Sequence, residues 1–168
     1  MKKYFSYINS AREVCQKPCI IDFDGKAYTS FCNSYSLALT TEPCGAIELF
    51  TDVDRYPNMS RLVKCDGVTG SIDIHKVIAE AKSRGYKLKK SEVNGNGYLM
   101  YYDGAYFRIG LLEATYGIVD DGNAPTVYHS GDTGASPITI ENSIGYCVIM
   151  PVKYEQEPDD GIIIIDAN

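Results

Sequence analysis

Two aspartates close to the N-terminus have a spacing at which paired carboxylates can do chemistry. Asp22 and Asp24 stand in the sequence Asp-Phe-Asp-Gly, where they could bind a divalent metal or act as paired acids. A calcium-binding loop would also need a Glu further along the chain, and none stands at that spacing. Asp24-Gly25 instead favours a tight hairpin, because both residue types tolerate a positive φ. We therefore interpret the motif as a structural turn and expect no metal site.

Six cysteines and two histidines could supply the thiol–imidazole pair of a cysteine-dependent enzyme. The candidates are Cys15, Cys32 or Cys44 with His75 or His129. Spacing in the sequence does not establish that any of these pairs is close in space, and a buried Cys commonly packs as a small hydrophobe. The sequence has no C-x-x-C pair, which argues against a zinc site, and nothing in it indicates the oxidising compartment that a disulfide framework needs. We expect free and partly buried thiols, no catalytic residues and no cofactor.

The composition is that of a compact protein rich in β structure. The chain has 168 residues, of which 45% are hydrophobic, and includes 14 Tyr and 5 Phe. This length suits one domain, or one domain with a half-domain attached, and abundant Tyr, Val and Ile favour strands. A net charge of −6 argues against a protein that is basic overall and binds nucleic acid through its whole surface.

Neither end of the sequence shows a targeting or membrane-spanning pattern. Met1-Lys-Lys could begin a signal peptide, but Arg12 and Glu13 interrupt the apolar stretch that such a peptide needs. The isoleucine run at Ile162–Ile165 is too short to cross a bilayer. We expect a cytoplasmic protein that has no membrane partner.

One short stretch is strongly basic although the protein is acidic. Between Lys76 and Lys90 only Glu80 opposes the cations, whereas from Ser91 onward twelve acidic residues face Arg108 and Lys153 alone. A local positive patch can hold a phosphate backbone whatever the net charge. The alternative is an ordinary solvated helix face and strand edge. The candidate DNA-binding residues are Lys76, Lys82, Arg84, Lys87, Lys89 and Lys90.

The spacing of apolar residues predicts three helices, at residues 3–16, 73–84 and 110–116. Ser71 or Asp73 can cap the start of the second helix, and Gly85 can close its end. Strands are predicted at 19–23, 26–31, 35–40, 46–50, 86–93, 98–102 and 105–109, with three more after residue 116. Asp24-Gly25 and Asp103-Gly104 predict two tight hairpins.

This order of elements predicts an α+β fold with an antiparallel sheet and helices packed on one face. The core-facing residues of the helices are predicted to be Ile74, Val77, Ile78, Ala81, Leu111 and Leu112. The turn-rich segment Thr51–Gly70 is the best candidate boundary within the chain. We therefore expect a helix-plus-strands half-domain at 1–50, a domain at 51–154, and an acidic tail at 155–168 that ends in a short strand.

An ordered series of segments resembles the closing half of a bacterial DNA sliding-clamp domain, the β-type processivity clamp. Arg55–Val63 looks like the segment that leads into the last domain of a bacterial clamp chain. Ser71–Arg84 and Gly110–Tyr116 are similar to the two helices of that domain, and Ser136–Lys153 resembles its final hairpin. The chain departs from the family in having one to one and a half domains instead of three, and one strand before Ile109 is missing. Such a minimal clamp-like protein would suit a phage or a mobile element.

The resemblance implies a non-enzymatic, DNA-clamp-like module associated with DNA replication. In clamps the helices contact the backbone of double-stranded DNA, a role it assigns to the six cations named above. The terminal Met-Pro segment of a clamp helps to line the pocket for polymerase-type clamp-binding peptides, which implies the same of Met150, Pro151 and Val152. A ring would require a homo-oligomer. The alternative is a protein-interaction or decoy domain that keeps the clamp fold without binding DNA.

The tail continues beyond the point that corresponds to the end of a bacterial clamp. Fourteen residues follow Tyr154 and include the four consecutive isoleucines. Leaving them in water would forgo roughly 1.5–3 kcal/mol for each side chain that could be buried. We expect the run to dock, either as an extra strand or across the pocket beside Met150, and its β-branched residues favour the strand.

Overall fold

The structure, a computed structural model, describes residues 4–8, 17–45, 48–52, 54, 56–89, 97–129, 135–155 and 161–168. The helices within these ranges are α1 (Phe5–Ile8), α2 (Met59–Leu62), α3 (Ile74–Ser83) and α4 (Ile109–Val119). The first five strands are β1 (Cys19–Phe23), β2 (Lys26–Cys32), β3 (Ser36–Thr40), β4 (Val68–Gly70) and β5 (Tyr98–Tyr102). The remaining strands are β6 (Ala105–Arg108), β7 (Thr126–His129), β8 (Ile138–Asn142), β9 (Gly145–Ile149) and β10 (Ile163–Asp166).

These strands form two sheets. The larger sheet has the order β1-β2-β3-β9-β8-β7-β4, and every neighbouring pair in it is antiparallel. The smaller sheet has the order β10-β5-β6, in which β5 and β6 are antiparallel and β10 runs parallel to β5. Helix α4 packs against β3 and β9 and also contacts α1 and α3. The predicted α+β class with a mostly antiparallel sheet is confirmed.

Both predicted Asp-Gly hairpins are present. In the β1–β2 turn Asp24 and Gly25 have φ values of 51° and 72°, and in the β5–β6 turn Asp103 and Gly104 have 45° and 81°. A positive φ at both central residues gives the turn a twist that matches the flanking strands. Asp24 is therefore part of a turn, as expected.

Helices α3 and α4 bury the residues predicted to face the core. Ile74, Val77, Ile78 and Ala81 of α3 are buried, and the Asp73 carboxylate accepts a hydrogen bond from the Lys76 amide at 2.9 Å, which caps the helix. In α4 every residue except Gly117 is buried, Leu111 and Leu112 included. Helix α4 continues to Val119, beyond the predicted end at Tyr116, because its apolar run continues and the acidic loop begins only at Asp120.

Two predicted strands are wrong in the parts that the structure describes. Glu48–Phe50 is not a strand, although the Phe50 amide donates to the Pro18 carbonyl at 2.8 Å, and Ala46 and Ile47 lie outside the described residues. Residues 86–89 are not a strand either, because the Tyr86 amide donates back to the Ala81 carbonyl of α3 at 3.0 Å. Residues 90–96 lie outside the described ranges, as do residues 1–3 and 9–16 of the predicted first helix.

The isoleucine run of the tail docks as a strand. It forms β10, in which Ile165 is fully buried, at the edge of the smaller sheet. The larger sheet joins strands from both sides of the predicted boundary at residues 50 and 51, since β3 pairs with β9. The division into a half-domain, a clamp-like domain and a tail stays a prediction. Among the described helices, none is both long and apolar enough to cross a membrane.

Candidate functional site

A groove lies where helix α2 meets the end of strand β9. It consists of two adjoining cavities of about 440 Å³ and about 80 Å³ that share Leu62, Val148 and Met150 as a common wall. The larger cavity is also lined by Arg61, Lys64, Asp66, Gly67, Tyr128, His129, Ser136 and Pro137. The smaller one is completed by Cys32, Asn33, Ser34, Ser36, Leu37 and Pro57. A concave, mostly apolar surface with a few polar groups is the usual form of a binding site.

Helix α2 is anchored to the larger sheet through one face. Met59 and Val63 stand four residues apart, one helical turn, and both are buried. Tyr56, just before the helix, is also buried and donates from its hydroxyl to the Ser30 carbonyl of β2 at 3.1 Å. Leu62 is therefore held on the outer side of α2 with 37% of its surface exposed, at the wall of the groove.

Strand β9 supplies the other apolar wall. Val148 is buried within the strand, and Met150, directly after it, is 38% exposed. The Met150 amide donates to the Tyr35 carbonyl at 2.8 Å, which fixes the backbone where the strand ends. A flexible, polarizable Met adapts its shape to a bound apolar group better than a branched side chain does.

His129 fixes the far side of the groove. Its imidazole ring is buried, with Nδ1 2.9 Å from Asp103 Oδ2 and Nε2 3.2 Å from the Ser136 carbonyl oxygen. The ring thereby ties the β5–β6 turn to the segment that leads into β8. This explains how Ser136 and Pro137 come to line the cavity, although they precede β8 and are not part of a strand.

One residue that lines the groove, Gly67, has no room for a side chain. Gly67 precedes β4, and a Cβ atom there would lie 2.6 Å from the carbonyl oxygen of His129 on β7.

Tyr128 on β7 donates to the Glu141 carboxylate at 2.7 Å. This hydrogen bond, together with burial, raises the pKa of Tyr128 to about 12. Its hydroxyl is thus a fixed donor at neutral pH.

The buried cysteines have the environment of packing residues. Cys19, Cys32, Cys44 and Cys147 are buried, Cys65 is exposed, and Cys15 lies outside the described residues. Burial raises the pKa of Cys147 and of Cys19, so both are protonated at neutral pH. A protonated thiol is a poor nucleophile.

The predicted DNA-contacting cations lie on and after helix α3. Lys76, Lys82, Arg84, Lys87 and Lys89 are all exposed, and Lys90 lies outside the described residues. Lys82 donates at 2.7 Å to Glu113, a carboxylate of α4 with only 7% of its side chain exposed. Arg84 pairs with Glu80 one turn back on its own helix. Lys82 and Arg84 therefore each have a carboxylate partner within the protein.

Helix α4 adds no cation to this surface, since its sequence Ile-Gly-Leu-Leu-Glu-Ala-Thr-Tyr-Gly-Ile-Val contains neither Lys nor Arg. Tyr86 lies near the Lys82–Glu113 pair, and burial, followed by the Glu113 carboxylate, raises the pKa of its hydroxyl. The junction between α3 and α4 thus combines one buried carboxylate, one half-exposed cation and one protonated phenol.

The structure brings one of the three predicted pocket residues into the groove. Met150 lines both cavities. Pro151 and Val152 line neither, and the Val152 amide donates to the Tyr106 carbonyl of β6 at 2.8 Å. Leu62 and Val148 were not singled out from the sequence, although each lies inside a segment that resembles a clamp segment. The sequence Arg61-Leu-Val63 gives one indication of the role of Leu62. Its neighbour Val63 takes the buried position, which leaves Leu62 on the exposed side.

No protein-family model matches this chain, and no curated protein matches it either. Among solved structures it is similar to the crystal structure of DNA polymerase III, beta subunit, from Thermotoga maritima, with a TM-score of 0.60. The fold is clamp-like. The two sequences are 10% identical, and the superposition covers 94% of this chain and 63% of that one. This chain therefore spans less than two thirds of its structural neighbour, and the likeness establishes the fold alone.

Proposed function

We propose that this protein is a non-enzymatic, clamp-like module of DNA replication whose groove binds a short clamp-type peptide. The single observation that carries the proposal is the meeting of two segments distant in the sequence. The segment with Arg61 and Leu62 resembles the approach to the last clamp domain, and the segment with Met150 resembles the clamp terminus. Both line the same cavity. The clamp-like fold of the whole chain supports this placement.

The groove has the size and chemistry for apolar anchors. A cavity of about 440 Å³ accommodates one or two large side chains, and the smaller cavity beside it extends the apolar surface past Leu62 and Met150. Short peptides bind mainly through a few such anchors that are fully desolvated in the complex. Arg61 and Lys64 are exposed at the rim and suit an acidic group on the peptide.

A second part of the proposal concerns double-stranded DNA. Lys76, Lys82, Arg84, Lys87, Lys89 and Lys90 would contact the backbone without reading bases. Internal pairing of Lys82 with Glu113 and of Arg84 with Glu80 reduces the charge that a phosphate meets. We therefore propose that any DNA binding is weak and falls steeply with salt. A complete ring would need several copies of this short chain.

The second candidate function is a protein-interaction or decoy domain that keeps the fold without touching DNA. The observation that favours it is the charge distribution. Helix α4 has no cation, two cations of the basic stretch are paired internally, and the net charge is −6. Both candidates use the groove, and they differ only in whether DNA binds.

A matched pair of variants tests the groove. Leu62 and Leu49 are both 37% exposed, but only Leu62 lines the groove. We expect Leu62→Asp to weaken binding of a fluorescein-labelled, polymerase-type clamp-binding pentapeptide at least tenfold, measured by fluorescence anisotropy, because a carboxylate replaces an apolar contact. Leu49→Asp should leave the affinity unchanged. Equal affinities for both variants, or no binding to the unmodified protein, would reject the groove as the peptide site.

A further inference from the structure

The chain's own C-terminal strand covers the outer edge of β5. Strand β10 lies parallel to β5, with Ile163 opposite Tyr98 and Asp166 opposite Tyr101. All the other strand pairs among the described residues are antiparallel. Strand β5 therefore has one neighbour that is continuous with it in sequence, the hairpin partner β6, and one that arrives from the distant end of the chain.

Several contacts hold β10 in this place. The Ile163 amide donates to the Gly97 carbonyl at 3.1 Å, and the Ala167 amide donates to the Tyr101 carbonyl at 2.9 Å. The Asp103 amide donates to the Asn168 side-chain oxygen at 2.9 Å, so the last residue is attached to the β5–β6 turn. Ile165 is fully buried, and β10 also contacts α3. The edge of β5 is thus a surface that recognises an isoleucine-rich strand in a fixed register.

The two ends of the connection that leads to β10 lie on opposite sides of the smaller sheet. Four residues occupy one row across it, from one side to the other: Val152, Tyr106, Tyr101 and Asp166. Three strand spacings of about 4.8 Å separate the two ends of that row, roughly 14 Å. Strand β10 begins at Ile163, three residues before Asp166, so its first residue lies roughly 10 Å along the strand from this row. Ten residues, 153–162, join Val152 to Ile163, and they reach about 36 Å at most when fully extended.

We propose that the edge of β5 is a self-association surface, and that it accepts the β10 strand of a second copy whenever the chain's own β10 is displaced. The second copy is the partner that fits, because its β10 carries the same isoleucines and makes the same contacts in the same register. Reciprocal exchange of the two strands closes a symmetric dimer with no edge of β5 left open. The exchange requires neither the peptide groove nor DNA.

The sequence of the connection sets a further condition on the exchange. Glu155, Glu157, Asp159 and Asp160 lie within it, so two exchanging connections bring eight carboxylates into one dimer. Their repulsion is screened by salt. Dimer formation through β10 therefore rises with ionic strength, whereas binding to DNA through the basic stretch falls.

Shortening the connection tests the proposal. Removal of residues 155–161 leaves three residues between Val152 and Ile163, with a reach of about 14 Å, which is no more than the width of the sheet and leaves nothing for the distance back along β10. The shortened variant should be a dimer by sedimentation velocity, and a control with seven Gly or Ser residues at 155–161 should stay monomeric. Adding Ile165→Asp to the shortened variant should return it to a monomer, because the exchanged strand loses its buried side chain.

A peptide measurement decides the question even if the shortened variant does not fold. A fluorescein-labelled peptide of residues 161–168 should bind a chain truncated after residue 160 at least about a hundredfold more tightly than it binds the full chain. The same Ile-to-Asp change in the peptide should abolish that binding. Equal affinity for the truncated and full chains would overturn the proposal, as would a shortened variant that stays a folded monomer or a dimer that persists with Ile165→Asp.

Discussion

At the scale of single residues, the groove depends on two apolar side chains that remain partly in water. Leu62 and Met150 expose 37% and 38% of their surfaces, while Val148, which lines both cavities with them, is buried. Met150 could be predicted because it belongs to a Met-Pro segment that resembles the end of a bacterial clamp. Helical periodicity did not single out Leu62, since α2 has only four residues and apolar periodicity is detected over windows of eleven residues or more.

The ion pair between Lys82 and Glu113 gives a prediction at the same scale. Glu113 is buried against the core, so a Lys82→Met variant leaves its carboxylate desolvated with the Nζ–Oε1 hydrogen bond lost. We expect the free energy of unfolding in urea to fall by about 1–2 kcal/mol, less than for a fully buried pair because Lys82 is half exposed. Adding Glu113→Gln should recover part of the loss. A Lys82→Met variant as stable as the unmodified protein would contradict this role.

At the scale of secondary structure, local signals predicted what depends on neighbours in sequence. The two Asp-Gly hairpins, the caps of α3 and its buried face follow from residue types a few positions apart. Residues 86–89 were predicted to be a strand, yet Tyr86 bonds back to the end of α3, a contact that apolar content does not reveal. The isoleucine run predicted a strand, but not that it would pair with β5 or run parallel to it, because both depend on where β5 lies in the fold.

The junction of β4 with β7 provides the prediction at this scale. A Gly67→Ala variant places a methyl group 2.6 Å from the backbone oxygen of His129, so one strand must shift. We expect the free energy of unfolding to fall by about 1–3 kcal/mol and the groove to bind peptide less tightly. Gly97→Ala is the control, because a Cβ there meets no atom within 4 Å and its φ is not positive. Comparable losses in the two variants would show that the close approach is not the cause.

At the scale of the whole molecule, the larger sheet joins two units, each of which has one helix followed by three strands. Strands β1–β3 follow α1 and strands β7–β9 follow α4, and the sheet joins them through the antiparallel pair β3–β9 while α1 packs on α4. The order of segments along the chain predicted one helix-plus-strands half-domain at residues 1–50, followed by a domain at 51–154. The pairing of β3 with β9 was not predictable, because it joins residues more than a hundred positions apart.

The prediction about DNA binding also concerns the whole molecule. Lys76 and Lys87 are better test positions than Lys82, since their replacement does not leave a buried carboxylate unpaired. If the basic stretch contacts DNA, Lys76→Glu with Lys87→Glu should lower affinity for a short duplex at least tenfold at low salt and reduce the salt slope by about two. Lys26→Glu with Lys153→Glu changes the net charge equally and should have a much smaller effect. Equal losses of DNA affinity in both double variants would show that only the net charge matters and that the basic stretch is not the DNA site.

If the groove beside Met150 receives a peptide, the methyl resonances of the methionines should report the binding. The chain has four Met residues, of which Met59 and Met100 are buried and Met150 is exposed at the groove. In protein labelled with [¹³C-methyl]methionine, titration with the clamp-binding pentapeptide should shift the Met150 signal, assigned through Met150→Leu, saturably while Met100 stays fixed. A Met150 signal that does not move at millimolar peptide, or equal shifts at Met100, would contradict the proposed function.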